Sequence, residues 1–344
     1  PAIRTEGGLR LEASSLIEDE GDSGVAAGTD RLSPTCPGHV LCFNTLEQLQ
    51  KADKAALLRA AAALVWADMV SGRVLDCPGL LARFVVACHA DMKHHKFVIW
   101  PAFPALVPEA PLAQEGDTLS VSAGLAAAFG MEPAAALEES SEAVMSLLDS
   151  SPAGLPLAFV VTRRDGKLAT ESLREAADRG VASLRADLAA GGMVLAVVDP
   201  SPLPLHAGWT ARNAVIMASA CLGMGGEVLP VLCLRPSPRG GVVDPPKASA
   251  GDASAGAAGE SAVIALCGSI IVRVRCPDLE GIETAAVGPT PDDALASWLG
   301  VPDPAAGTAE APPLLPHGLS AAGWERQPVR AKDGSTAMLS RPRV

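Results

Sequence analysis

The chain has 344 residues, of which 49% are hydrophobic and 19% charged, with a formal net charge of −12. That apolar fraction is enough to bury the core of one large domain or two ordinary ones, which excludes a disordered chain. The acidic balance, with no Lys/Arg-rich block, excludes a phosphate-reading nucleic-acid face, and no window reaches the roughly 18 unbroken apolar residues of a membrane span.

The start, PAIRTEGG, has no Met and no charged-then-apolar leader, so it reads as a piece of something longer without a secretion signal. The expected compartment is the cytosol, where the eight cysteines stay mostly reduced and buried. Aromatic residues make up 3% of the chain and Tyr is absent, so the core must be built of Val, Leu, Ile and Ala.

Residues 1–37 read as loop-rich, with a short strand at Gly8–Ala13 and an acidic linker. HVLCFN (39–44) reads as a strand. Asp53 caps a helix that runs to Gly72, and Pro78 opens a second helix through LLARFVVACHADMKHH. KFVIW follows as a strand stopped by Pro101 and Pro104. After a polar loop, residues 131–150 form a third helix.

LPLAFVVTR (155–163) is a strand followed by a tight turn at Arg164–Lys167, and residues 170–192 are mostly helix. MVLAVVD (193–199) is continuously apolar, as a strand buried on both faces must be. A helix over 208–223, a strand over 227–235 and a long final strand over 263–276 complete the order. The expected architecture is α/β and two-lobed, with mixed β-sheets flanked by helices. Residues 38–152 form the first lobe and 153–344 the second, the latter interrupted by a low-complexity insertion at 236–261. Glu283–Ala311 is similar but holds DDALASWLG, a short amphipathic helix.

Three patterns invite a chemical reading. On a helix, Cys88, Asp91 and His95 fall on one face, and a metal-dependent α/β enzyme using Asp91, His94 and His95 is the alternative reading of this stretch. A simpler cause is a cationic helix end, since Lys93, His94, His95 and Lys96 complement the negative C-terminal dipole. Cys36, His39 and Cys42 lack the spacing of a zinc knuckle. Gly223-Met-Gly-Gly follows a helix and precedes a strand, so it stops a helix rather than cradling a phosphate. Neither a P-loop nor a G-x-G-x-x-G is present, and no catalytic, cofactor or metal residue is assigned.

Several segments in order carry a resemblance. Asn44-Thr45-Leu46-Glu47 with Ala52-Asp53-Lys54 opens the series. Leu80-Leu81, Phe84, Ala90-Asp91, Lys93, Phe97, Trp100 and Pro104-Ala105-Leu106 continue it. Asp199-Pro200, Gly208-Trp209, Arg212-Asn213, Ser269–Val272, Gly323-Trp324-Glu325 and Met338-Leu339-Ser340 follow. From about residue 38 to 340 the chain resembles the N-terminal domain of the autophagy E1-like ubiquitin-like-modifier-activating enzymes, the family of autophagy-related protein seven. It departs from that pattern at His94-His95, Val98-Ile99, Ala207, Thr210 and Ala211.

The resemblance implies a non-catalytic two-lobed domain that recruits E2-like conjugating enzymes of the autophagy-three and autophagy-ten types. It implies that ATP, the catalytic cysteine, the ubiquitin-like modifiers (autophagy-eight and autophagy-twelve types) and the homodimer contact belong to a part absent from this chain. Trp209 and Arg212, three apart at a helix start, share a face and with Asn213 are the expected E2 contacts. The competing account has Trp209 stapling the helix to the sheet and Arg212 paired with a nearby carboxylate. A scaffold without an E2 partner is the remaining alternative.

Overall fold

The computed structural model describes residue 32 and residues 34–342, except 95, 110, 111, 153, 202, 204, 236–265, 267, 280–314, 317, 323 and 331–335. The expected strand at Gly8–Ala13, the insertion at 236–261 and the helix within 283–311 lie outside the described residues.

The chain opens with β1 (Gly38–Cys42) and α1 (Leu46–Lys51), the latter closed by a reciprocal cap between Thr45 and Gln48. Asp53 caps α2 (Lys54–Val70), its carboxylate accepting the Ala56 amide at 2.9 Å. This helix is buried almost all round. Its one deeply buried charge, Asp68, accepts from Arg83 at 2.5 Å and forms an ion pair with Arg73 at 2.9 Å. Gly72, with φ 74°, turns the chain into α3 (Arg73–Asp76).

The structure then corrects the helix expected from Pro78. Pro78–Ala82 is a single 3₁₀ turn, and Arg83 is extended. The chain continues as a hairpin of β2 (Phe84–Asp91) and β3 (Lys96–Ala102). Phe84, Val85 and Val86 favour a strand, and β2 finds β1 as a parallel partner. Asp91 closes the hairpin by accepting the amides of Lys93 and His94, both at 3.1 Å. Pro101 does not stop β3, because an edge strand tolerates a missing N–H.

β4 (Ala105–Pro108), β5 (Ala113–Gln114) and β6 (Leu119–Ser120) lead into α4 (Val121–Phe129). Sequence reading takes this region for a polar loop. Ser120 caps the helix, and left-handed Gly130 ends it. α5 (Pro133–Ser150) begins with Pro at its first turn, as expected. β7 (Ala158–Arg164) and β8 (Lys167–Glu171) meet at the expected tight turn, where Asp165 and Gly166 have φ of 51° and 81°.

The helix expected over 170–192 is divided into β8, α6 (Leu173–Asp178) and α7 (Val181–Ala189), with Gly180 at φ 82° between the helices. β9 (Met193–Val198) is buried at every position, as its apolar run requires. α8 (Trp209–Leu222), β10 (Val228–Leu234) and β11 (Ile270–Arg275) follow. β12 (Leu319–Ala322), β13 (Trp324–Arg330) and β14 (Thr336–Pro342) end the chain. β11 is shorter than the final strand expected, part of which lies outside the described residues.

The architecture is α/β. A seven-stranded mixed sheet has the order β5-β11-β10-β9-β7-β8, with β6 also on β11. α8 packs on β9 and β10, and α4 on β11 and β9. The small sheet β1-β2-β3 rests on α2 through Ala61, Val85 and Ala102. The boundary expected near residue 152 falls between α5 and β7, and the principal core draws side chains from both sides of it. Each fully buried Val or Leu of β9 contributes about 1.5–3 kcal/mol relative to exposure.

Candidate functional site

Two regions carry the residues singled out by sequence. The first is the start of α8. β9 delivers Asp199 into the interior, where its carboxylate accepts the amides of Ser201 and Gly208 at 3.1 Å. Arg235, just past β10, donates to Asp199 at 3.1 Å and to the carbonyls of Leu203 (2.7 Å) and His206 (2.8 Å). The segment between Asp199 and Gly208 is therefore held by one carboxylate and one guanidinium. A Cβ on Gly208 would sit 2.1 Å from Asp199 Oδ1, so glycine is required there. Burial holds the Asp199 carboxyl above the usual range, against the pull of Arg235 and the amide donors.

This clamp sets the first turn of α8. Trp209 is nearly buried and stacks on Phe103 with centroids 5.3 Å apart; Phe103 in turn meets Phe84 at 6.1 Å. Asn213 is wholly buried. Its Oδ1 accepts the Leu106 amide at 2.9 Å, and its Nδ2 donates to the carbonyls of Leu81 (2.8 Å) and Pro104 (3.0 Å). It thus ties α8 to β4 and to the 3₁₀ turn. Arg212 alone faces solvent, paired with no described carboxylate. Trp209, Arg212 and Asn213 are neighbours in sequence, but the structure turns two inward and one outward.

The second region is the β2–β3 hairpin. β1 accompanies β2 only as far as Cys88, so the distal rungs Ala90 with Phe97 and Asp91 with Lys96 form a two-stranded arm. Apolar side chains stand in solvent here: Met92 is 68% exposed, Phe97 59%, Val98 42% and Ile99 43%. They are four of the seven exposed large hydrophobic residues among the described ones, with Lys93, His94 and Lys96 beside them. β3 is an edge strand of its sheet. Sequence reading misses this surface. Its only signal is that FVIW (97–100) is apolar on both faces beside a turn that carries Lys93, His94 and His95.

The proposed metal ligands do not share a helix face, because there is no helix. His94 Nδ1 bonds Asp91 Oδ2 at 2.8 Å, and that bond, with the turn amides, holds the Asp91 carboxyl below its usual range. His95 lies outside the described residues. Among the described residues no group of three or more His, Cys, Asp or Glu is placed to hold a metal ion.

Residues 3–340 match the family described as ubiquitin-like modifier-activating enzyme ATG7 N-terminus, so the match also takes in most of the segment before residue 38. The chain is 29% identical over 221 residues to the ubiquitin-like modifier-activating enzyme atg7 of Neurospora crassa, covering 61% of this chain and 30% of that one. It is 29% identical over 213 residues to the human ATG7 enzyme, covering 60% and 28%. The chain thus spans about 30% of the length of the curated relatives it matches. Among solved structures it is similar to the Kluyveromyces marxianus Atg7NTD–Atg10 complex, with a TM-score of 0.43, 12% identity and coverage of 91% of this chain and 76% of that one.

Proposed function

The chain belongs to the family of ATG7 N-terminal domains, and from that membership we propose that it recruits E2-like conjugating enzymes of the autophagy-three and autophagy-ten types. The observation that carries the reading is the family match over residues 3–340. The chemistry assigned to this domain is tethering. A docked E2 has its acceptor thiol held at high local concentration near the thioester it attacks, which converts an encounter between two proteins into an internal transfer. Adenylation with ATP, the catalytic cysteine, the ubiquitin-like modifiers and the homodimer are proposed for the remainder of the full-length protein, with the cytoplasm as the compartment. No helix among the described residues is long and apolar enough to cross a membrane.

The docking surface we favour is the β2–β3 arm. An extended E2 segment added to the β3 edge would gain main-chain hydrogen bonds there, while Phe97, Val98 and Ile99 would lose contact with water. Lys93 and Lys96, exposed on a chain of net charge −12, favour an acidic segment. Arg212 is proposed as a second, direct contact, with Trp209 and Asn213 holding the helix that presents it. A pull-down of the cognate autophagy-three-type E2 by the 344-residue chain tests the reading. Saturable capture is expected, and its absence with both E2 types would remove the proposal.

A further inference from the structure

The base of the arm holds a feature that E2 recruitment does not use. β1 and β2 are parallel neighbours, and their register sets Cys42 directly opposite Cys88. Opposed residues on adjacent strands project to the same side of the sheet with Cα atoms about 5 Å apart, within the span a disulfide needs. The two sulfurs already lie 3.5 Å apart. The Phe43 amide donates to the Cys88 carbonyl at 2.8 Å, and the His89 imidazole bonds the Phe43 carbonyl at 3.0 Å. These bonds fix the backbone on both strands just beyond the pair.

Exposure of one sulfur together with a second sulfur beside it separates this pair from the other described thiols. Cys42 is exposed and Cys88 half-buried. Cys233 and Cys276 are buried in the main core, and Cys36 and Cys221 are partly covered. Cys77 is exposed but has no thiol opposite it among the described residues. Cys267 lies outside the described residues.

We propose that Cys42 and Cys88 are a modification site, a dithiol that a peroxide converts to an intramolecular disulfide joining β1 to β2. The Cys42 sulfur, as thiolate, attacks one peroxide oxygen. The O–O bond breaks, Cys42 becomes a sulfenic acid, and with hydrogen peroxide the departing hydroxide takes up a proton as water. The Cys88 sulfur then attacks the Cys42 sulfur, its proton leaving with the displaced hydroxyl as a second water, and the S–S bond forms. In sum, two thiols and one hydrogen peroxide give one disulfide and two waters. Cys42 is the exposed sulfur and meets the peroxide first; burial, together with neighbouring Cys42, pushes the Cys88 thiol up to about 11 and suits it to the second attack. The bond would close a loop across a 46-residue separation that contains α1, α2 and α3, and so stiffen the root of the arm.

The test is a peptide map of the reduced 344-residue chain after hydrogen peroxide treatment and alkylation. The expected result is one linked peptide pair containing residues 42 and 88, about 2 Da lighter than the sum of its two reduced peptides and separated by dithiothreitol. With Cys88→Ser, oxidised Cys42 should instead gain oxygen and form no link. Recovery of both Cys42 and Cys88 as alkylated thiols after treatment overturns the proposal. So does a link from Cys42 to Cys77, or one between two chains. The wild-type map decides the question even if the variant folds poorly.

Discussion

The start of α8 and the β2–β3 arm show opposite ways of placing side chains. At α8, polar groups are buried and answered: Asp199 by Arg235 and two amides, Asn213 by one amide and two carbonyls. At the arm, apolar groups are exposed and unanswered, from Met92 to Ile99. The first arrangement is costly to disturb, because each lost partner leaves a buried group unsatisfied. The second costs the fold little to change and has much to gain from a partner. One region frames the domain, and the other offers a surface.

That contrast orders the expected effects of substitution. Asp199→Ala strands the Arg235 guanidinium beside the core and should lower unfolding stability by about 3–5 kcal/mol in a urea titration. Asn213→Ala leaves one amide and two carbonyls without their partner and should cost about 3 kcal/mol by the same measurement. Phe97→Asp should change stability by less than about 1 kcal/mol yet weaken E2 binding at least roughly tenfold. A large stability loss at Phe97 would move it from the surface to the frame. Arg212→Glu should leave stability within about 0.5 kcal/mol and weaken binding by a few fold.

The smallest effect is a pH dependence. The Asp199 carboxyl is raised above its ordinary value of 3.8 in the fold, so the folded state holds its proton more tightly than the unfolded chain does. Its contribution is complete below the ordinary value and falls away as pH rises through the raised one. Asp199→Asn keeps an acceptor without titrating. The stability difference between wild type and this variant should therefore shift against the wild type across that acid window. A difference that is flat with pH would contradict the burial argument.

Much of the fold is legible from local signals. Asp53 and Gly72 mark α2, the unbroken apolar run gives β9, and Asp165-Gly166 gives the β7–β8 turn. Where reading fails, a distant partner or a glycine decides. Pro78 followed by an apolar run broken only by Arg83 suits a helix as well as a strand, and the deciding partner, β1, lies 46 residues away at the Cys42–Cys88 rung. Gly180 divides a continuous helical pattern into α6 and α7.

The site is legible only in part. Spacing places Trp209 and Arg212 on one face of α8, but only the stacked Phe103 ring shows that Trp209 lies under cover while Arg212 stays at the rim. The exposure of Phe97, Val98 and Ile99 follows from β3 being an edge, a property of the sheet that the strand's own sequence does not contain.

Calorimetric titration of the autophagy-three-type E2 into the 344-residue chain and its Phe97→Asp variant tests the central claim most directly. Saturable binding to the wild type, weakened at least about tenfold in a variant whose urea midpoint is nearly unchanged, is the predicted result. Equal affinity for both chains would contradict the arm as the docking surface. Heats no larger than dilution for the wild type, repeated with the autophagy-ten-type E2, would contradict recruitment itself.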